Sequence, residues 1–435
     1  MPDARPAGKT TPFWWEEAPP APLPAQPLAR TADVVIVGAG YTGLTAGMTL
    51  ARAGRAVTIL DKMLPGEGAS TRNGGITSGN IRPGFDELTR KYGETRALAI
   101  EAEGKEARAF TYDFIRSEGI DCDLQMTGRF SGVIGRAQYE AGARSAEKLA
   151  KSLGIESYAV PQAEQRAYIG SDFYRGGSVR MDIGGLHPAK YHAGILRLAL
   201  AAGVSLHSGT AVTSVARDGA GFTVTTSAGT ISARQVLVCT NGHTDGSDPW
   251  LRRRLVPIRS RIIVTEPLPP ELMQSLMPRR MMYSEGMILG CYYRPTPDGT
   301  RILLGGRDAS QSGDAQWPIE MLRQNMLRIF PELAGTGLSH TWFGNVAMNR
   351  DMMPRIFEHD GITYATGFCG SGVVWAPWFG TRAAQRLMGD TAQRSAFDFR
   401  PPAFIPFYAG KPYFMPPLIS LYRVQDRLAL ARAQR

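Results

Sequence analysis

A glycine-rich segment near the N-terminus constrains the fold of this chain more than any other feature. It reads DVVIVGAGYTGLTAGMTLARAGRAVTILDK from Asp33. The β-branched run 34–37 predicts a buried strand that leads directly into a helix, and Gly54 ends this helix before a second strand over 56–60. This order predicts a βαβ unit, and therefore a parallel sheet.

The glycines between the first strand and the helix indicate a dinucleotide site. Gly38 permits a tight turn, Gly40 lets a pyrophosphate approach the positive end of the helix, and Gly43 lets helix and strand pack closely. Asp61 ends the second strand 23 residues after Gly38, where a carboxylate can accept hydrogen bonds from an adenosine ribose. A glycine-rich turn that binds no ligand is the alternative.

The dinucleotide can be NAD or FAD. A flavoprotein that NAD reduces would be expected to carry a second glycine fingerprint. The segment DGAGFTV from Asp218 lacks both a third glycine and a following helix. The remaining features therefore favour a single FAD.

Three later segments carry the small residues expected around such a cofactor. The loop MLPGEGASTRNGGITSGN follows Asp61, a strand over 236–239 ends in the turn TNG, and GFCGSGVVWAPWFG from Gly367 opens a helix. Small residues expose backbone N–H groups, which suits a loop around a diphosphate or a flavin ring.

Charge and composition exclude several classes of protein. The net charge is +10, but the arginines are dispersed and the run LRRRLVPIRSR lacks neighbouring aromatics, so we expect a solvated surface or steering of an anionic substrate rather than nucleic-acid binding. Four dispersed cysteines form no disulfide framework or metal site and favour a reducing cytoplasm. No window predicts a signal peptide or a membrane span.

Many ordered motifs resemble one family. They include PFWWEEAPP, GASTRNGG, GGLHPAKY, VLVCTNGHT, VPIRSRIIVTEPL, ILLGGRD, ATGFCGSGV and PYFMPPLISLYRVQD. With the βαβ segment, they resemble the D-amino-acid-oxidase-like superfamily of FAD-dependent oxidoreductases, in particular the branch of gamma-glutamylputrescine oxidase and the sarcosine and glycine oxidases.

The resemblance implies an α/β (α+β) fold whose domains are discontinuous in sequence. A Rossmann-like FAD-binding domain is expected from 32–90, 183–250 and 349–395, and a substrate domain with a large antiparallel or mixed sheet from 91–182 and 251–348. Residues 1–31 are expected to form an extended arm, and 396–435 a C-terminal tail and helix. Period-two patterning on both sides of the turn TPDGT independently predicts two strands of the substrate sheet.

The predicted cofactor contacts combine the glycine motifs with the resemblance. They are Gly38, Gly40, Tyr41, Thr42, Gly43, Asp61, Lys62, Ser70, Thr71, Arg72, Asn73, Gly74, Gly75, Val212, Thr240, Asn241, Gly242, Gly367, Cys369, Gly370, Ser371, Gly372 and Val373.

By resemblance, 367–372 pass the pyrimidine end of the flavin, where the amides of a helix N-terminus stabilise the reduced form. Cys369 is interpreted as a small packing residue, because the positions at which relatives tether the flavin hold no cysteine or histidine here. FAD is therefore expected to be noncovalent.

The predicted catalytic residues are Arg307, Tyr293 and Trp342, on segments expected to face the flavin. Tyr292, Met348 and Trp375 are further candidates, and each of the six can instead belong to the core. Aromatic walls suit an amine, whose cation they hold through their π faces. His187 and His243 are expected on the cofactor lobe, and no metal-binding pattern is present.

Two departures from the family concern the substrate. Val374 stands where a sarcosine-oxidase-like enzyme carries a lysine for the substrate carboxylate, and RILLGGR lacks the lysine that oxidases keep for the reaction with oxygen. These departures weaken the case for an α-amino acid and for fast oxidase behaviour.

The sequence predicts an enzyme that oxidises the C–N bond of a small amine or N-substituted amino acid to an imine, with oxygen as acceptor and hydrogen peroxide as product. The alternatives are a dehydrogenase that passes electrons to a quinone or an electron carrier, and a flavin-binding subunit without turnover.

Overall fold

The protein is described by a computed structural model over residues 8–308, 316–390 and 395–433. The strands are β1 (Thr31–Val37), β2 (Val57–Leu60), β3 (Arg129–Gly132), β4 (Ser157–Val160), β5 (Gly177–Arg180), β6 (Ser205–His207), β7 (Val212–Asp218), β8 (Gly221–Thr226), β9 (Gly229–Val238), β10 (Val256–Thr265), β11 (Met282–Glu285), β12 (Tyr292–Pro295), β13 (Ile302–Arg307), β14 (Leu338–Met348), β15 (Arg355–His359) and β16 (Ile362–Thr366).

The helices lie between these strands and at the C-terminal end. They are α1 (Tyr41–Arg52), α2 (Ala69–Arg72), α3 (Phe85–Tyr92), α4 (Glu94–Ser117), α5 (Arg136–Leu153), α6 (Pro188–Ala201), α7 (Pro249–Arg252), α8 (Pro270–Leu276), α9 (Gln316–Ile329), α10 (Gly372–Leu387) and α11 (Met415–Ala433). Short 3-10 helices occur at Phe13–Glu16, Gln162–Ala167, Asn241–His243 and Pro331–Gly335.

The first sheet contains the predicted βαβ unit. Its strand order is β15-β16-β9-β1-β2-β6, with β8 and β7 continuing antiparallel from β9. β1 pairs in parallel with both β2 and β9, which confirms the predicted parallel core. A Cβ on Gly43 would lie 1.9 Å from the Gly38 carbonyl oxygen, so only glycine lets α1 begin this close to β1.

The second sheet is largely antiparallel, in the order β14-β10-β13-β12-β11-β3-β5-β4. β12 and β13 pair antiparallel around the turn TPDGT, as predicted, and β11 pairs in parallel with β3. The observed mixed α/β architecture confirms the predicted fold class.

The chain enters each sheet more than once. The first sheet takes strands from 31–60, 205–238 and 355–366, and the second takes strands from 129–180 and 256–348. These passes follow the predicted discontinuous order, and the domain boundaries themselves stay a prediction.

The two ends of the chain pack on the body of the protein. Residues 1–7 of the predicted arm lie outside the described residues. Residues 8–30 form no helix or strand apart from the 3-10 helix at Phe13–Glu16, where Trp14 is fully buried. In the C-terminal helix, Met415 and Ile419 pack beside Ile258 and Met348.

No helix within the described ranges has the length and apolar character to cross a membrane. The predicted cytoplasmic location stays a prediction.

Candidate functional site

A cleft between the two sheets brings most of the predicted site residues together. It is lined by Gly38, Gly40, Tyr41, Thr42, Asp61, Lys62, Ser70, Arg72, Asn73, Gly74, Gly75, Val212, Thr240, Asn241, Gly242, Gly370, Gly372, Val373 and Arg307, and by the further candidates Tyr292, Met348 and His243. Gly43, Thr71, Gly367, Cys369, Ser371, Tyr293, Trp342, Trp375 and His187 lie outside its lining.

The N-terminus of α1 opens on the cleft. Gly38 has φ +109°, a conformation that glycine adopts without strain. A Cβ on Gly40 would lie 2.9 Å from Ser70 Oγ, so the backbone there remains accessible only because this residue is glycine. The N-cap residue Gly40 has no side chain to cap this 12-residue helix. Ser70 Oγ accepts from the Tyr41 amide, and the amides that follow it in the first turn are available for an anionic group.

Asp61 lines the cleft beside the N-terminus of α1. Its carboxylate accepts hydrogen bonds from the amides of Ala39 (2.7 Å) and Met63 (2.9 Å). Burial raises the pKa of Asp61, and these two amides oppose that shift. A carboxylate has about four lone-pair sites, so the group can still accept from a ribose hydroxyl.

The loop after Asp61 is fixed by hydrogen bonds from both sides. Ser70 Oγ accepts from the Tyr41 amide (3.1 Å), and Asn73 Oδ1 accepts from the Gly75 amide (2.8 Å). From the arm, Trp14 Nε1 donates to the Asn73 carbonyl (2.8 Å). The N-terminal arm therefore holds the loop that lines the cleft.

Thr71 belongs to this loop but faces away from the cleft. It is buried, and its hydroxyl accepts from Trp15 Nε1 (2.8 Å) and bonds the Gly66 carbonyl. This predicted cofactor residue is placed to support the loop.

A second helix N-terminus opens on the cleft at α10. The turn before it has positive φ at Gly367 (+80°), Cys369 (+51°) and Gly370 (+100°). Ser371, at the N-cap, makes no capping hydrogen bond with its side chain. The dipoles of α1 and α10 therefore both place positive helix ends in one cleft.

Cys369 is turned into the protein. Its Sγ lies 3.1 Å from the Gly367 carbonyl oxygen and 3.8 Å from Asn349 Oδ1. Burial raises the pKa of this thiol to about 11, so it is protonated at neutral pH. Both facts agree with its interpretation as a packing residue.

His243 lies at the rim formed by β9 and the turn that follows it. Burial lowers its pKa to about 4, with the cations of Lys62 and Arg72 adding to the shift. Its buried Nε2 has no hydrogen-bond partner among the described residues. A neutral imidazole with an unused nitrogen in the cleft fits a polar group of a ligand.

The cleft thus has the features that an FAD molecule requires. Glycines leave room for a close approach, the N-termini of α1 and α10 supply amide donors for a diphosphate and a flavin ring, and Asp61 supplies a ribose acceptor. No group of metal-ligating side chains occurs in the described part of the chain.

Two neighbouring arginines line the cleft. Arg307 ends β13, and Arg82 lies in the loop before α3, where its Nε donates to the Cys369 carbonyl (3.1 Å). Burial, and then the neighbouring Arg82 cation, lower the pKa of Arg307. Neither forms an ion pair with a described carboxylate, so the pair can bind an anionic group of a ligand.

The sequence analysis did not single out Arg82. It stands in the segment GNIRPGF, which has no recognisable pattern. Only the path of the loop beneath α10 brings its guanidinium to Arg307.

The register of β12 separates the two candidate tyrosines. Tyr292 pairs with Gly305 and its ring faces the cleft, whereas Tyr293 points to the other side of the sheet. There Tyr293 stacks on Tyr283 at 5.2 Å and its hydroxyl lies 2.8 Å from that of Tyr174. Neighbouring residues of a strand face opposite sides, so the structure brings Tyr292, and not Tyr293, to the cleft.

Trp342 is also placed as a supporting residue. It is buried against Phe13 and Trp14, and its Nε1 donates to the Arg72 carbonyl (2.9 Å). It contacts the loop from behind the cleft lining. Of the three predicted catalytic residues, the structure brings only Arg307 to the cleft.

Among the described residues, no carboxylate lines the substrate side of the cleft; Asp426 of α11 acts on the charge of Arg307 from outside the lining. The acids in the lining are Asp61 and Asp245, and Asp245 pairs with Lys62 (2.5 Å) beside the first sheet. On the second sheet, Asp308 pairs with Arg261 (2.8 Å) and Glu285 with Arg328 (3.1 Å). This wall can bind anions, and no acid in the lining is placed there to take a proton.

Comparisons with known proteins agree with this geometry. The family described as "FAD dependent oxidoreductase" matches residues 33–386. The chain is similar to the probable oxidoreductase OrdL of Rhizobium meliloti, at 30% identity over 427 residues that cover 95% of this chain and 97% of that protein. It is also similar to the gamma-glutamylputrescine oxidoreductase of Escherichia coli, at 29% identity over 411 residues that cover 92% and 94%. Among solved structures, the glycine oxidase from Geobacillus kaustophilus shares the fold, with a TM-score of 0.72 at 19% identity over 87% of this chain and 99% of that one.

Proposed function

The chain belongs to the family of FAD-dependent oxidoreductases, and we propose that it oxidises the C–N bond of an amine or N-substituted amino acid that carries a carboxylate. The product is an imine, which water then hydrolyses to an aldehyde or keto compound. The predicted resemblance is confirmed at the level of the family, whereas the substrate and the electron acceptor belong to this proposal.

The proposal rests on one feature of the cleft. A cofactor cradle with two helix N-termini faces a wall that bears Arg82, Arg307 and Tyr292 and, among the described residues, no acid in its lining. A charge-assisted contact with arginine orients a carboxylate, which fixes the adjacent amine within the cleft. In this proposal, the guanidinium groups of Arg82 and Arg307 bind the substrate carboxylate that a lysine at position 374 binds in sarcosine-oxidase-like enzymes.

Each part of the chain has a distinct task in this reaction. Bound FAD would supply the acceptor for the hydride that leaves the substrate carbon. Arg82 and Arg307 hold the substrate carboxylate, and the ring of Tyr292 forms an apolar surface beside the amine. None of the described residues on the substrate side of the lining is an acid that could act as a base. The neutral form of the amine is instead favoured by desolvation against the partly apolar wall.

FAD is proposed to be held without a covalent bond. Cys369, the candidate tether, is turned away from the cleft and protonated. Acid precipitation should therefore release all the yellow colour into the supernatant, and colour that stays in the washed pellet would contradict noncovalent binding.

Oxygen is the proposed electron acceptor, with hydrogen peroxide as product. A dehydrogenase that reduces a quinone or an electron carrier, and a flavin-binding subunit without turnover, remain alternatives. Anaerobic mixing of the purified holoprotein with a panel of amines should bleach the flavin absorbance with carboxylate-bearing amines. Failure of every amine would contradict an enzymatic role, and bleaching without oxygen consumption on admission of air would favour the dehydrogenase.

A further inference from the structure

A further arginine, Arg129, lines the cleft at some distance from the proposed carboxylate site. Arg129 is the first residue of β3 and lines the cleft, as does Ser284, whose hydroxyl lies 3.0 Å from that of Ser131, two residues after Arg129. The proposed chemistry at Arg82 and Arg307 gives this residue no role.

Arg129 belongs to a buried cluster with an excess of positive charge. Asp182 pairs with both Arg108 (2.6 Å) and Arg180 (3.0 Å), and Glu101 lies 3.7 Å from Arg180. The cluster, counting Arg129, therefore contains three guanidinium groups and only two carboxylates. Arg129 itself forms no ion pair with any described residue.

The hydrogen bonds of Arg129 are incomplete as well. The side-chain amide of Asn80 is oriented so that its nitrogen donates to the Ser78 carbonyl and its oxygen accepts from Arg129 NH2 (2.8 Å). The Nε of Arg129 is buried and has no partner in the described part of the chain. Burial and the Arg180 cation lower the pKa of Arg129, yet a guanidinium remains charged at any pH at which proteins are folded.

A buried cation without a counter-charge is unfavourable, and cations in protein interiors are normally paired. Arg129 lines the cleft, so a ligand bound there can supply the missing charge. A carboxylate suits this position, because it accepts charge-assisted hydrogen bonds from a guanidinium.

The strand order sets the distance between the two anion sites. Arg307 lies on β13 and Arg129 on β3, which are three strand spacings apart through β12 and β11. At about 4.8 Å for each spacing, the two strands are roughly 14 Å apart across the sheet. The strand register places Arg129 level with Leu303 and therefore four residues from Arg307 along the strands, about 13 Å, so the two backbones are roughly 20 Å apart. A ligand that reaches both arginines must therefore be elongated.

We propose that Arg129 binds a second carboxylate at the far end of the substrate, so that the enzyme acts on elongated amines with an anionic group at each end. This inference rests on the proposed function, since it extends the same cleft. Arg82 and Arg307 hold the carboxylate near the reacting C–N bond, and Arg129 selects for length and for charge at the opposite end.

The test uses unreactive acids, so that binding is measured without turnover. Straight-chain dicarboxylates of four to eight carbons and the monocarboxylates of equal length are titrated into the holoprotein, and binding is followed by the change in flavin absorbance. We expect one dicarboxylate to bind about tenfold or more tightly than its monocarboxylate partner, as for one added charge-assisted contact. Equal affinities for every pair in the wild-type protein would overturn the proposal without any variant.

Variants then assign the effect to Arg129. Arg129→Gln should abolish the preference for the dicarboxylate and leave monocarboxylate binding unchanged, and Arg129→Lys should keep part of the preference. Arg136→Gln, at an exposed arginine of α5, is the matched control and should behave like the wild type. A preference that survives in a folded Arg129→Gln protein would refute the assignment.

The outcomes separate this inference from the proposed function. If dicarboxylates bind through Arg129 but no amine bleaches the flavin, the function fails and the anion site stands. If amines with and without a remote carboxylate reduce the flavin equally well, the function stands and the anion site fails.

Discussion

The side chain of Arg307 is expected to govern affinity more than chemistry. Arg307→Met keeps the apolar length of the side chain and removes its charge-assisted hydrogen bonds, each of which contributes about 1.5 to 3 kcal/mol. We therefore predict that KM rises roughly 10- to 100-fold for a carboxylate-bearing amine. For the same amine without the carboxylate, KM should change little. An equal loss for both compounds in steady-state assays would show that Arg307 does not contact the carboxylate.

The turn before α10 offers a second comparison between neighbouring residues. Cys369→Ser keeps a small polar group beside the Gly367 carbonyl and should leave FAD content and activity nearly unchanged. Gly370→Val places a branched side chain at φ +100°, in a region that strains any residue with a Cβ, and it should lower FAD content. Flavin absorbance per protein measures both, and an inactive Cys369→Ser protein with full FAD content would contradict the packing role of this cysteine.

The N-terminal arm is an element whose role lies in the contacts it makes with the cofactor loop. Trp14→Phe removes the hydrogen bond to the Asn73 carbonyl and leaves most of the buried ring volume in place. We expect weaker FAD retention, by about 1 kcal/mol, which is the usual contribution of one such bond. Equilibrium dialysis of FAD measures the change, and Trp317→Phe, at a half-exposed tryptophan of α9, is the control. FAD affinities identical to the wild type in both variants would exclude a positioning role for the arm.

Elements differ in how far their sequence determines the site. The βαβ unit is predictable because Gly38, Gly40 and Gly43 are each required by the local geometry of one strand-to-helix turn. The sequence does not predict whether Tyr292 or Tyr293 faces the cleft. Neighbouring residues of a strand face opposite sides of the sheet, and only the pairing of β12 with β13 determines which of the two sides faces the cleft. No local sequence pattern predicts that Arg82 and Arg129 line the cleft, because the path of a loop brings Arg82 there and the order of the strands brings Arg129 there.

The stability of the whole molecule should fall as the pH is lowered from about 6.5 towards 4. Burial lowers the pKa values of His187, His192 and His243 to about 4 each, below the usual 6.5. The unfolded chain therefore takes up protons first, and the stability that these neutral side chains contribute is complete above pH 6.5 and is lost on acidification. For the fully buried His192 the loss is roughly 3 kcal/mol at most.

Chemical unfolding at pH 7 and pH 4.5 measures this loss. The variant His192→Asn should unfold with a smaller pH dependence than the wild type, because one titrating group is gone. If the wild type and the variant show the same pH dependence, His192 is not held neutral in the folded protein.

The central claim is that one cleft presents a neutral amine to FAD and uses no acid or histidine of the protein as its base. The decisive measurement is the rate constant of anaerobic flavin reduction at saturating substrate, followed from pH 6 to 10 for two carboxylate-bearing amines whose intrinsic pKa values differ by about two units. We predict that the rate rises with pH through a single ionisation, and that its apparent pKa moves with that of the amine. An apparent pKa that stays fixed for both amines and disappears when one histidine or carboxylate is replaced would show a dedicated base and contradict this account.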